Sequence, residues 1–244
     1  MEEANVGLQD KKVTWGVAPA LLVGLAAFFV PQVVIGAVLG LVAAARDQKL
    51  SEFINIDSAG VILLLTIVLS SIGVSILVLY LKPENVWRRL GFKKVKWEDV
   101  GLAVPAYLAY FVLAIVASQA LTAFYPDIAN QAQETGFASA SGLGLVWAFI
   151  TLVILAPLYE ETLFRGFVFR GIAKGTAFWP AAIASSALFG IAHQQINVAI
   201  DTFIIGIVAS WLVWHTKSLW PAILLHVIKN FIAYILLFVL EVNV

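Results

Sequence analysis

The chemistry-bearing residues of this 244-residue chain lie in its second half, and four of them can work on water together. Glu160 sits in Pro157-Leu158-Tyr159-Glu160-Glu161-Thr162-Leu163-Phe164-Arg165, directly after an apolar run from Leu143 to Pro157. His193 closes Phe189-Gly190-Ile191-Ala192-His193, and His226 and Asn230 stand four apart in the last apolar segment. A carboxylate, two imidazoles and an amide in a partly dry cavity can take a proton from water and stabilise a developing oxyanion, which is what peptide hydrolysis requires. Two versions of that chemistry fit. In one, Glu160, His193 and His226 are three zinc-type ligands that leave a fourth position for water. In the other no metal takes part: Glu160 with His193 is the general base, and His226 and Asn230 donate to the oxyanion. The HExxH pattern that favours zinc is absent.

Spacing decides which of the neighbouring charges are free. Glu160 and Glu161 are about 100° apart on a helix and cannot share a face. Glu161 and Arg165 are four apart in the favourable order and are expected to pair, as a brace that leaves Glu160 directed elsewhere. Thirty-three residues separate Glu160 from His193, and the midpoint falls at Gly175-Thr176, a helix stop. A hairpin folded there puts both side chains about 24 Å from the turn, at one depth. His226 and Asn230 share one face of their helix, which opens Ser218-Leu219-Trp220-Pro221 with a capping serine and a first-turn proline. Asp201 with Lys229 reads as a structural ion pair, and His215 as a helix-end residue that solvates or caps.

The elements that must hold these groups are membrane helices. Hydrophobic residues make up 61% of the chain, charged ones 12%, and the mean hydropathy is +0.95. Apolar blocks run to about 20 residues without strand-like alternation, so the fold class is all-α, a polytopic bundle of about seven helices. The expected spans are 17–44, 59–81, 100–124, 142–172, 177–194, 198–216 and 219–240. The first carries Pro31 and is expected to kink, tilt or overshoot; it reads as an uncleaved anchor. One membrane domain is expected over 1–244, with undiagnostic spans before 142 and the reactive groups in 142–240.

Ionisable groups cost roughly 2.5 to 3.5 kcal/mol each within a span, so a late cluster of them marks function. Cysteine is absent, which excludes disulfides, thiolate ligands and cysteine nucleophiles. Net charge is zero and the basic residues lie between spans, so nucleic acid is not expected as a partner. With a cytoplasmic N-terminus, twelve of the fifteen basic residues fall on the cytoplasmic side: Lys11, Lys12, Lys82, Arg88, Arg89, Lys93, Lys94, Lys96, Arg165, Arg170, Lys174 and Lys217. Arg46 and Lys49 fall outside and Lys229 lies in a span. Residues 125–141 carry Asp127 and Glu134 but no cation, as befits an outer loop, and the site mouth is expected to face the cytoplasm.

Glu160-Glu161-x-x-x-Arg165, Phe189-x-x-x-His193 and His226-x-x-x-Asn230, in that order on late spans, resemble the three motifs of the CAAX protease and bacteriocin-processing (CPBP) intramembrane proteases, the group of the type II CAAX prenyl endopeptidases. The resemblance covers about 142–240. It implies a membrane-embedded endopeptidase, often described as a metalloprotease, in which Glu160 and His193 activate water, His226 and Asn230 form the oxyanion site, and Glu161 and Arg165 support. Only 33 residues separate His193 from His226, room for one span. That brings the chain closer to compact prokaryotic members, for which prenylated CAAX substrates are not implied and bacteriocin maturation, immunity or membrane-protein turnover are possible roles. Membrane proteins or peptides are the expected substrates. The alternative is a non-catalytic scaffold or immunity protein that uses the polar cavity for binding. A transporter fits less well, because the polar groups have no repeated counterpart.

Overall fold

Apolar length explains most of the architecture. The computed structural model describes residues 13, 15–49, 86–94, 96–131, 137 and 140–241. The expected span at 59–81 lies outside them, as do Lys11, Lys12, Lys82 and Glu134. Among the described residues every regular element is helical: α1 (Val17–Ala45), α2 (Val86–Leu90), α3 (Trp97–Phe124, with a step at Leu102), α4 (Pro126–Ala129), α5 (Leu143–Ala173), α6 (Phe178–Ala192), α7 (Ile196–Thr216) and α8 (Trp220–Val239). Five of these, α1, α3, α5, α7 and α8, are long and apolar enough to cross a bilayer. The chain is thus an integral, multi-pass membrane protein, and each long helix falls where the hydropathy placed it.

Helix α5 is the axis of the bundle. Its second half packs on α1 and α6, its first half on α8, and α7 and then α3 close the far side by packing on α6 and α8. At 31 residues α5 is about 46 Å long, more than the ~30 Å hydrocarbon thickness, whereas α6 has 15 residues and reaches only about 22 Å. The α5–α6 hairpin turns at Lys174 to Ala177, where the glycine-threonine pair predicted it. Small buried residues on α6 (Ala181, Ala182, Ser185, Ser186, Gly190) let α7 come close. A Cβ on Gly190 would collide with the Ala199 carbonyl, and one on Gly206 with Ser186 and the Arg165 guanidinium. No other residue fits at either crossing.

Helix α5 is not a uniform α-helix. It is wound as a π-helix at Phe149–Leu155, returns to α at Ala156–Glu161, and is π again at Thr162–Phe169. Glu160 and Glu161 therefore ride on a short α segment between two widened ones. Arg165 and Arg170, expected at a cytoplasm-facing basic end, are instead fully buried in the bundle. Their charges are held by protein contacts and not by solvent, so they carry less information about orientation than the loop cations do.

Candidate active site

Three helices bring the reactive groups together. On α5, Arg165 Nη1 donates to Glu161 Oε1 at 3.1 Å, the expected brace, with both side chains fully buried. Glu161 does more than pair along its helix. His226 Nδ1 on α8 lies 2.9 Å from the same Oε1, so one carboxylate oxygen ties α5 to α8. A carboxylate that accepts from Nδ1–H fixes the imidazole plane and turns Nε2 outward. That Nε2 faces Glu160 Oε2 at 3.8 Å.

Glu160 differs from its neighbour in both access and bonding. Its side chain is 17% exposed against none for Glu161, and among the described residues it has no hydrogen bond. Sequence spacing therefore separated the two carboxylates correctly. It missed the bond from Glu161 to His226, which follows from no i, i+4 pattern because α8 is distant in sequence.

His193 ends α6, where its own Nδ1 stands 2.9 Å from the Phe189 carbonyl. A carbonyl only accepts, so the hydrogen is on Nδ1 and Nε2 carries a lone pair in the neutral ring. The next residue, Gln194, has φ +59, which turns the chain sharply into α7. Phe189 is the wedge between the imidazoles: its ring centroid is 4.9 Å from that of His193 and 5.9 Å from that of His226. The Arg165 guanidinium covers the same ring at 4.4 Å, a cation–π contact that shields part of the buried charge. Ser185 donates to the Phe164 carbonyl at 2.8 Å, which sets the antiparallel register of α5 and α6. Continued along the hairpin, that register puts Glu160 opposite Phe189, one turn short of His193.

Asn230, one turn beyond His226, is directed less simply than its spacing implied. Its Nδ2 donates to the Leu152 carbonyl at 2.7 Å, spending one of two amide hydrogens on the first π segment. Tyr159, beside Glu160, likewise reaches a backbone oxygen, that of Ala27 on α1, at 3.3 Å. Trp15 Nε1 donates to the Phe167 carbonyl at 2.9 Å and its ring stacks on Phe167. Side chains thus reach backbone carbonyls along the irregular helix, a condition for unusual winding at membrane depth.

The three residues set aside from the sequence, Asp201, Lys229 and His215, keep to their structural roles. Lys229 Nζ meets Asp201 Oδ2 at 3.1 Å, and Tyr110 donates to Asp201 Oδ1 at 2.6 Å. This pair forms the polar wall of a cavity of about 400 Å³ between α3, α7 and α8, lined by Tyr107, Phe111 and Leu236 among others. His215 stacks on Trp211 with centroids 5.3 Å apart. At the start of α8, Trp220 N–H lies 3.4 Å from Ser218 Oγ, the weak cap the sequence promised.

Among the described residues no three histidine, aspartate or glutamate side chains converge closely enough to hold a metal ion. As placed, Glu160, His193 and His226 are therefore not gathered into a three-ligand set, while each imidazole has Nδ1 held by an oxygen and Nε2 left available.

Fold and geometry together define a class: a polytopic helical membrane protein with a buried centre of two carboxylates, an arginine and two imidazoles. Residues 142–232, rather more than a third of the chain, match the family described as "Type II CAAX prenyl endopeptidase Rce1-like", the stretch that carries the three motifs. Two curated relatives are similar over part of their length. The chain is 31% identical over 77 residues to "Putative membrane peptidase YdiL" of Bacillus subtilis (strain 168), 32% of each chain. It is 31% identical over 153 residues to an "Uncharacterized 24.3 kDa protein" of Escherichia coli, covering 60% of this chain and 66% of that one. The chain spans about a third of the first relative's length and just under two thirds of the second's. No solved structure matches it.

Proposed function

We propose that the chain is an intramembrane endopeptidase that hydrolyses peptide bonds of membrane-associated proteins or peptides with a water activated by Glu160 and His193. The observation that carries this reading is the division of labour between adjacent carboxylates. Glu161 is fully buried with Oε1 held by Arg165 and His226, while Glu160 is accessible, free of hydrogen bonds among the described residues, and faced by His226 Nε2. Being named for an endopeptidase, the family supports the same reading.

In the proposed reaction, water between Glu160 and His193 gives one proton to that pair and its oxygen attacks the substrate carbonyl carbon. The carbonyl π electrons move to oxygen. His226, held through Nδ1 by Glu161, donates to that oxyanion from Nε2 when a proton sits there. The tetrahedral intermediate then collapses, the C–N bond breaks, and the proton held by the Glu160–His193 pair passes to the leaving amine. No step passes through a metal. The substrate reaches the site from the bilayer, and the concentration of cations in 86–96 supports a cytoplasmic mouth.

Reconstituted protein and a fluorogenic peptide containing one apolar span test this reading. Wild type is expected to cleave it, and His193→Ala to be slower by roughly 100- to 1,000-fold, since general-base groups contribute about 10² to 10⁴. His193→Ala at the wild-type rate would show the assignment to be wrong. Activity that survives exhaustive chelation would support water activation without a metal, and loss restored by zinc would return the zinc scheme. A wild-type protein with no activity that still binds membrane peptides would favour the scaffold.

A further inference from the structure

Two prolines interrupt the helices around the site, and each leaves a carbonyl without its helical donor. Pro31 removes the N–H that would reach Ala27 in α1, and the Tyr159 hydroxyl is 3.3 Å from that oxygen. In the first π segment the bonds run five residues back, as Ala156 N–H to Thr151 shows. Pro157 is next and has no N–H, so the Leu152 carbonyl loses its partner. Asn230 Nδ2 lies 2.7 Å from that oxygen. The coincidence is specific: the amide is on the His226 face of α8, and the carbonyl lies eight residues before Glu160 in α5.

We propose that Asn230 is a positioning residue whose amide occupies the Leu152 carbonyl freed by Pro157, a clamp between α5 and α8 that aims His226 at Glu160. The inference rests on the endopeptidase reading for its kinetic consequence, but not for the clamp itself. Glu161 already ties His226 to α5 at one point. One tie leaves α8 free to rotate about it. The second tie, one turn along the same face, removes that rotation and fixes the 3.8 Å approach of His226 Nε2 to Glu160. Pro157 belongs to the device because restoring an N–H there would give Leu152 a partner within its own helix.

The test is a cycle of Asn230→Ala, Pro157→Ala and the double variant, read by kcat, KM and melting temperature in detergent. Alone, Asn230→Ala is expected to lower kcat by about 10- to 100-fold with KM within about twofold, the range for lost orientation of a reactive group. Pro157→Ala, which gives the Leu152 carbonyl a partner in its own helix and so releases the amide, is expected to lower kcat by a similar factor. In the double variant, kcat should lie within about threefold of Pro157→Ala, and the melting loss of Asn230→Ala should largely vanish. If the double variant keeps the full 10- to 100-fold defect relative to Pro157→Ala and the melting losses add, Asn230 acts on the substrate and the clamp is overturned. If Asn230→Ala does not fold, Asn230→Leu keeps the volume and is run in its place with the same criteria. Should wild type cleave nothing, the endopeptidase reading fails and the melting cycle alone decides the clamp: non-additive losses uphold it, additive losses overturn it.

Discussion

Two charge clusters lie within the helix bundle that look alike in composition and differ in balance. Asp201, Lys229 and Tyr110 make a closed set: one carboxylate, one ammonium, and a hydroxyl on the remaining oxygen. Glu160, Glu161, Arg165 and His226 make an open one, in which the second carboxylate has an imidazole nearby but no hydrogen bond among the described residues. A closed pair at membrane depth holds helices together, and an open one is a strained arrangement that a reacting molecule can complete. Charge in a span is therefore not itself the signature of function. The unspent acceptor is.

The largest effect that would break this contrast is on the open cluster. Glu160→Gln keeps shape and removes the base, and is expected to reduce kcat at least about 1,000-fold while leaving the melting temperature nearly unchanged. A stable variant with ordinary turnover would erase the distinction between the clusters. Glu161→Gln should come next: an uncharged amide oxygen is a weaker acceptor for both Arg165 and His226, so kcat is expected to fall roughly 10- to 100-fold and stability with it. Equal behaviour of the two glutamine variants in both assays would mean that the carboxylates share one role.

Smaller effects belong to the closed cluster. Lys229→Met strands Asp201 and is expected to cost about 1 to 3 kcal/mol of stability, discounted for the pair's partial exposure, with kcat within about threefold. Combining it with Asp201→Asn should recover part of that loss, read as a rise in melting temperature. Tyr110→Phe removes one hydrogen bond to a charged group and is expected to cost about 1 to 2 kcal/mol with no change in turnover. A kinetic defect in either variant larger than its stability loss would tie the cavity of α3, α7 and α8 to the reaction.

Much of this could be read from residue order because membrane folding is a local problem first. Each long helix declares itself by apolar length, the Gly175-Thr176 stop sets the α5–α6 hairpin, and i, i+4 geometry pairs Glu161 with Arg165 and aligns His226 with Asn230. The carbonyl freed by Pro157 was not legible, because α-helical geometry would name Val153 and only the π winding of α5 shifts it to Leu152. Arg165 and Arg170 are the instructive miss: flanking charges are usually solvated, and only packing by α1, α6 and α2 shows them enclosed.

By itself the sequence determined the positions of the five long helices, the helical class, the separate azimuths of Glu160 and Glu161, and the shared face of His226 and Asn230, whereas the expected span at 177–194 is a 15-residue helix too short to cross. Those properties depend on separations of a few residues, over which helix geometry is invariant. Tertiary structure alone decided that Glu161 orients His226, that Phe189 stands between the imidazoles, and that Asn230 reaches Leu152. Each of these joins different helices, and which faces meet is set by close packing at small residues such as Gly190 and Gly206 and by the π winding of α5, neither of which has a local periodic signature.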